Sequence, residues 1–178
     1  MICVIHAHPY PSHSRATNAL LAAVRTLPDT TVRSLYDLYP DFDIDVEAEQ
    51  DALMRASLVV WLHPLYWYSV PGLQKHWFNK VLANGWAYGE AHALSGKRCL
   101  WACTTGGEAG AYAAAGVHGQ GFADFVAPIE RTARFCRMQW LAPFIVHAAE
   151  ALPQPRLAEQ GQRLRELIAQ YASVEVAA

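Results

Sequence analysis

The sequence predicts an α/β fold, a doubly wound parallel sheet of five strands with helices on both faces. Two observations carry this prediction. Short, continuously apolar runs alternate with segments of helical periodicity, and several of the runs end in loops rich in Pro, Ser, Thr and Gly. Alternation of this kind builds right-handed β-α-β units. Strands covered on both faces then read as unbroken apolar runs.

Residues 2–7 are short, rich in β-formers and closed by a Pro/Ser/His loop, which makes them the first strand. Ser14 suits the N-cap of a helix that continues through Ala19, Leu20, Ala23 and Val24, since its hydroxyl can accept from a first-turn amide. Residues 31–35 form the second strand. A polar, acidic stretch follows over 36–50, and 48–55 reads as a short helix. Residues 57–62 are the third strand, with His63-Pro64-Leu65-Tyr66-Trp67-Tyr68-Ser69 as its exit loop. Pro71 fits the first turn of the next helix, which carries Leu73, Trp77, Phe78, Val81 and Leu82 at helical spacing. Residues 98–103 are the fourth strand, leaving through Thr104-Thr105-Gly106-Gly107. A helix over 125–136, a fifth strand over 144–147 and a last helix over 157–171 complete one domain spanning 1–178. Five strands wound in this way give a sheet of flavodoxin type. Ligands bind such sheets beyond the carboxyl ends of the strands, where the strand order reverses.

Composition narrows the function classes. The 178 residues are 53% hydrophobic and 17% charged, with a formal net charge of -2 and no basic run, so nucleic acid is not an expected partner. No apolar stretch approaches the roughly 20 residues of a membrane span, and the apolar N-terminus meets His8 and Pro9 too early for a signal peptide. A cytoplasmic protein is expected, with attachment to the inner face of the plasma membrane open only through a partner. Cys3, Cys99, Cys103 and Cys136 form no C-x-x-C pair and read as buried free thiols. No metal site is expected: His6 and His8 would point the same way along a strand, but no carboxylate or cysteine completes the set. His76, His92 and His147 read as ordinary surface or core histidines.

The exit loops of strands one, three and four should meet in one site. The first runs His8-Pro9-Tyr10-Pro11-Ser12-His13-Ser14-Arg15-Ala16-Thr17 straight into a helix, whose free amides and partial positive charge suit a phosphate. Ser12, Ser14 and Thr17 add hydroxyls, while His8, His13 and Arg15 add positive charge. Without a G-x-G-x-x-G turn, the loop favours a monophosphate over a dinucleotide. Taken alone it reads equally as a capped helix. The second loop sets Tyr66, Trp67 and Tyr68 where they would flank a flat ring, or else pack a hydrophobic turn. In the third, Gly106 and Gly107 let the backbone approach a planar ligand, although T-T-G-G is also a plain turn. The Gly/Ala-rich stretch 109–121 reads as a flap, with Tyr112 and His118 able to donate or accept protons.

Together these motifs resemble the NAD(P)H:quinone oxidoreductases of flavodoxin-like fold. The resemblance rests on H-P after the first strand, S-R-A-T, D-L-Y-P-D-F-D-I-D, H-P-L-Y-W-Y-S-V-P-G-L-Q-K-H-W-F-N-K-V-L, G-W-A-Y-G and T-T-G-G, in order from Met1 to about His147. The segment R-S-L-Y-D-L-Y-P-D-F-D-I-D-V-E-A-E-Q is similar to the small bacterial FMN-dependent branch, which includes ancillary flavoproteins of glutathione-gated potassium efflux. The flap is similar to that of longer, FAD-binding members, whose C-terminal extension this sequence lacks. The resemblance therefore implies FMN, with FAD the alternative.

It further implies NAD(P)H as electron donor, a quinone-like acceptor, ping-pong hydride transfer, a homodimer and, in one branch, a membrane potassium-efflux transporter as partner. A regulatory subunit of that transporter and an electron-carrier flavodoxin are the rival functions. In residues, it implies a phosphate held by His8, Ser14, Arg15, Ala16 and Thr17. Leu65, Tyr66, Trp67 and Tyr68 would line the ring and ribityl chain, and Thr104, Thr105, Gly106 and Gly107 would meet the pyrimidine edge. Tyr112 and His118 match the pair that accommodates charge as the flavin is reduced. Thr17 and Tyr66 stand where the family usually has Asn and Gln.

Overall fold

The computed structural model describes residues 1–173, and the remaining residues of the predicted domain, 174–178, lie outside the described ones. The sheet strands are β1 (Ile2–His6), β2 (Thr30–Ser34), β3 (Leu58–Pro64), β4 (Arg98–Thr104), β5 (Gln139–Trp140) and β6 (Phe144–Val146). They pair in parallel in the order β2-β1-β3-β4, and both β5 and β6 lie against β4. The order 2-1-3-4-5 is that of a flavodoxin sheet, with the fifth position shared by two short pieces.

That division corrects the single fifth strand expected over 144–147. Cys99 pairs with Trp140 and Ala102 with Phe144, so two residues of β4 face three on the edge, Leu141-Ala142-Pro143. Pro143 has no N–H to give to the ladder, and the extra residue bulges out there.

The helices are α1 (Arg15–Val24), α2 (Leu35–Leu38), α3 (Val46–Arg55), α4 (Gly72–Val81), α5 (Phe122–Phe135) and α6 (Gln154–Ser173). The two-residue period of the strands sorts the core into two layers. Cys3 and Ile5, Val59 and Trp61, and Cys99, Trp101 and Cys103 face α3, α4 and α5. Val4, Leu58, Val60, Leu62 and Leu100 face α1 and α6. Both faces are covered, hence the unbroken apolar runs. On the second face α6 meets α1 so closely that a Cβ at Gly161 would lie 2.9 Å from the Ala19 carbonyl oxygen. Glycine is the residue that fits there.

Three helices begin earlier than the sequence reading places them: α3, α5 and α6, the last at Gln154 rather than at 157. Asp45 N-caps α3 by accepting from the Ala48 amide at 3.0 Å, so the helix starts at Val46 rather than at 48. Helix α5 starts at Phe122, whose ring stacks on Trp101, and therefore carries Pro128 in its interior. The acidic stretch 36–50 also holds the single turn α2, which takes Leu35 from the expected second strand. The four cysteines are free and buried, and burial holds their thiols protonated.

Candidate functional site

The chain passes from β1 to β2 on one side and on to β3 on the other, so their exit loops diverge and leave a crevice. The crevice opens into a cavity of about 380 Å³, inside the roughly 300–1,000 Å³ range of small-molecule pockets. The first loop contributes His8, Tyr10, His13, Ser14, Arg15 and Ala16, and the second Pro64, Leu65 and Tyr66. The third contributes Thr104, Thr105 and Gly106, and the segment after β6 contributes Ala149 and Glu150. The three predicted loops thus meet at one site.

The first loop is shaped by a 3-10 turn, Pro11–His13, held by the Asn18 side chain donating to the Pro11 carbonyl at 2.7 Å. Ser14 occupies the N-cap of α1, but its hydroxyl bonds the Thr17 hydroxyl and not a helix amide. The first-turn amides therefore have no side-chain acceptor, and they open beside Arg15, His13 and His8. Arg15 donates to the Leu152 carbonyl at 3.3 Å, which keeps its guanidinium at the cavity wall. Thr17 is buried beneath Ser14 and lines no part of the cavity.

His8 lies beyond the end of β1, in the exit loop where the sequence reading puts it. Its Nδ1 accepts from the Tyr10 amide at 3.0 Å, which leaves Nε2 to carry the proton. Burial lowers its pKa, against smaller upward effects of that backbone bond and of Glu150. Burial, and then Glu150, raise the pKa of Tyr66 beside it. Glu150 thus adds a carboxylate to the cavity wall within electrostatic reach of His8 and Tyr66.

The second loop closes in a two-residue turn. Tyr66 and Ser69 exchange backbone hydrogen bonds of 3.0 Å each way, with Trp67 and Tyr68 between them at φ 47° and 65°. Such a turn needs positive φ at both central positions and normally takes Asn-Gly. The Trp67 indole is 92% exposed. Tyr68 turns toward the flap, stacks on Phe125 and comes within 3.3 Å of His118 Nδ1 through its hydroxyl. Left-handed backbone costs a bulky residue about 1–2 kcal/mol, so Trp67→Asn is expected to stabilise the protein by about 1 kcal/mol. Urea unfolding checks it, and a midpoint at or below wild type contradicts a strained turn.

In the third loop Gly106 has open space where a Cβ would stand, whereas a Cβ at Gly107 would come within 3.2 Å of the Tyr112 ring. Gly107 is thus the seat of the flap, not part of the cavity wall. Tyr112 is buried and its ring stacks on His118 at 4.5 Å between centroids, so the two predicted flap residues stand together. Thr105 is occupied internally: its hydroxyl donates to the Gly107 carbonyl at 2.8 Å.

Sequence reasoning missed Tyr10, Pro64, Ala149 and Glu150. The rule that carboxyl-end loops build the site would have found the last two had it been extended to the fifth strand. His147, read as ordinary, lies 3.0 Å from the Thr105 hydroxyl through Nδ1. No group of three or more potential metal ligands occurs among the described residues. No helix there is long and apolar enough to cross a membrane.

Comparison with known proteins agrees with the fold. The glutathione-regulated potassium-efflux system ancillary protein KefF of Salmonella typhi is 48% identical over 175 residues, spanning 98% of both chains. The general stress protein 14 of Treponema denticola, solved in complex with FMN, superposes with a TM-score of 0.90 at 34% identity, over 95% of this chain and 98% of that one. An NADPH-quinone reductase of P. pentosaceus superposes with a TM-score of 0.83 at 29% identity, over 98% and 99%. The profile described as flavodoxin-like fold matches residues 1–168, and the chain belongs to that family.

Proposed function

We propose that this protein is an FMN-dependent NAD(P)H:quinone oxidoreductase. One observation carries the reading above the others: the uncapped amides of α1, with Arg15 and His13, converge with the Thr104–Gly106 peptides on one cavity. That donor set fits a flavin mononucleotide. Cations and helix amides suit the phosphate, and a glycine with free space above it suits the edge of a planar ring. The FMN-bound relative at 34% identity and the quinone reductase at 29% support the assignment.

Ser14, Arg15, Ala16 and His13 would hold the phosphate, with Thr17 bracing Ser14 from below. Leu65 and Tyr66 would flank the ribityl chain, and the indole of Trp67 is free to fold over the open face. The Thr104–Gly106 peptides would orient the pyrimidine edge. When bound, the flavin supplies two-electron chemistry, taking hydride from a nicotinamide and passing it to a quinone. Tyr112 and His118, with Gly107 beneath them, would stabilise the negative charge that develops beside the pyrimidine ring.

The purified protein is expected to be yellow and to release FMN on heating. It should oxidise NADH or NADPH with a quinone in ping-pong fashion. Arg15→Ala is expected to weaken FMN binding by about tenfold to a hundredfold, the range for a charge-assisted hydrogen bond. His118→Ala should slow flavin reduction in stopped flow while FMN stays bound. Colourless protein that takes up no added FMN or FAD would defeat the reading.

A second role rests on the 48% identity to a potassium-efflux ancillary protein over nearly the whole chain. On this reading the same flavoprotein, as a homodimer, attaches to the cytoplasmic side of a membrane potassium-efflux transporter. Co-purification with such a transporter tests it.

A further inference from the structure

β4 and β6 leave the sheet side by side, and their exit loops are laced together. Thr105 N–H donates to the Val146 carbonyl at 2.9 Å, Ala149 N–H to the Thr105 carbonyl at 2.9 Å, and Ala148 N–H to the Gly107 carbonyl at 2.8 Å. His147 stands within this lacing. Its Nδ1 is 3.0 Å from the Thr105 hydroxyl oxygen, and that oxygen is 2.8 Å from the Gly107 carbonyl. A carbonyl only accepts, so the hydroxyl proton points to Gly107, and Nδ1 must carry a proton and donate to the hydroxyl.

The ring is held in place from the other side. It meets Phe122 edge to face at 5.1 Å and lies 5.5 Å from the Tyr112 ring. Thr105 and Gly106 line the cavity, whereas His147 does not.

We propose that His147 is a positioning residue for this cavity. Its Nδ1–H, passed on through the Thr105 hydroxyl to the Gly107 carbonyl, fixes the turn whose peptides face the ligand. The Thr105 hydroxyl is thereby turned inward, and the cavity meets backbone at that wall. The same ring couples the turn to the flap, because Tyr112 rests on His147 on one side and over Gly107 on the other. The proposal deepens the FMN reading and rests on it.

Three variants separate positioning from packing. His147→Phe keeps a ring and removes the donor, Thr105→Val keeps the shape and removes the relay hydroxyl, and His147→Asn places an amide N–H where Nδ1 stood. The first two are each expected to raise the FMN dissociation constant about tenfold, the usual scale of one hydrogen bond in a fixed network. Both should shift the flavin midpoint potential in the same direction. The double variant should be no worse than either single one, and His147→Asn should return both quantities to near wild type. Wild-type affinity and potential in His147→Phe, additive losses in the double variant, or no rescue by asparagine each overturn the proposal.

Exchange of the Ala148 amide in flavin-free protein gives an independent reading. It should quicken about tenfold in His147→Phe and Thr105→Val if the relay fixes the turn, and equal rates overturn it. Should the wild-type protein bind no flavin, the FMN reading fails while this exchange measurement still decides the relay.

Discussion

Glu49→Ala is expected to destabilise the fold by about 3–5 kcal/mol, the cost of stranding the partners of a buried charge. The Glu49 side chain is completely buried. Arg33 donates to one carboxylate oxygen from Nε at 2.8 Å, Tyr39 donates to the same oxygen at 2.7 Å, and the Trp77 indole donates to the other at 2.9 Å. Every partner is a donor, so only a carboxylate satisfies them all. Burial, followed by the bond to Glu49, pushes the Tyr39 hydroxyl up to about 12.

Four segments are pinned at this point: β2 through Arg33, the loop after α2 through Tyr39, α3 through Glu49 itself and α4 through Trp77. Glu49→Gln keeps the volume but turns one donor-facing oxygen into an amide, and it should lose most of the same energy. Thermal unfolding should register the alanine variant as a fall on the order of 10 °C in Tm. A loss below about 1 kcal/mol, the scale of a surface ion pair, would mean that these bonds do not hold the layer together.

Acid should weaken the protein well before its carboxylates titrate. His6 and His63 are buried, and burial lowers the pKa of each from 6.5 to about 4. For His6 the nearby His8, Arg25 and His63 add smaller effects in the same direction. His63 is built to be neutral: Nδ1 donates to the Pro64 carbonyl at 2.9 Å, while Nε2 accepts from the Trp101 indole at 2.9 Å. A second proton would abolish the indole bond.

Between pH 6.5 and 4 the unfolded chain binds these protons and the folded chain does not. Stability is therefore full above pH 6.5 and declines as the pH falls. Each histidine should take away roughly 2 kcal/mol between pH 7 and pH 5 by linkage, or about 4 kcal/mol for the pair. Urea midpoints measured across that interval should show the decline. Neutral replacements at His6 and His63 should each remove about half of the slope, and a flat profile would show that neither ring is held neutral.

The sheet was legible because most of its strands are continuous apolar runs, covered on both faces. The parts that escaped prediction depend on single partners. The turn α2 and the early start of α5 follow from side-chain contacts across the molecule, such as Phe122 on Trp101, which leave no periodic signal. The bulge at Leu141-Ala142-Pro143 is a matter of register, and register is set by the neighbouring strand.

At the site, the three loops could be found because strand ends must converge in this topology. Which atoms face the ligand could not be read in the same way. The sequence offers Thr17 and Thr105 as donors, yet their hydroxyls are engaged by Ser14 and by Gly107. Trp67 and Tyr68 are adjacent in sequence, yet the two-residue turn sends one into solvent and the other onto the flap.

The interrupted edge beside β4 also constrains how copies of this chain can meet. An unpaired strand normally invites another to continue the sheet, the route to fibres and swapped domains. Here that border offers runs of two and three residues, offset by a bulge and broken by a proline. Too little backbone is aligned for a second sheet to join. Association is therefore steered away from open-ended, strand-to-strand growth on this side and toward closed contacts made by helices and loops.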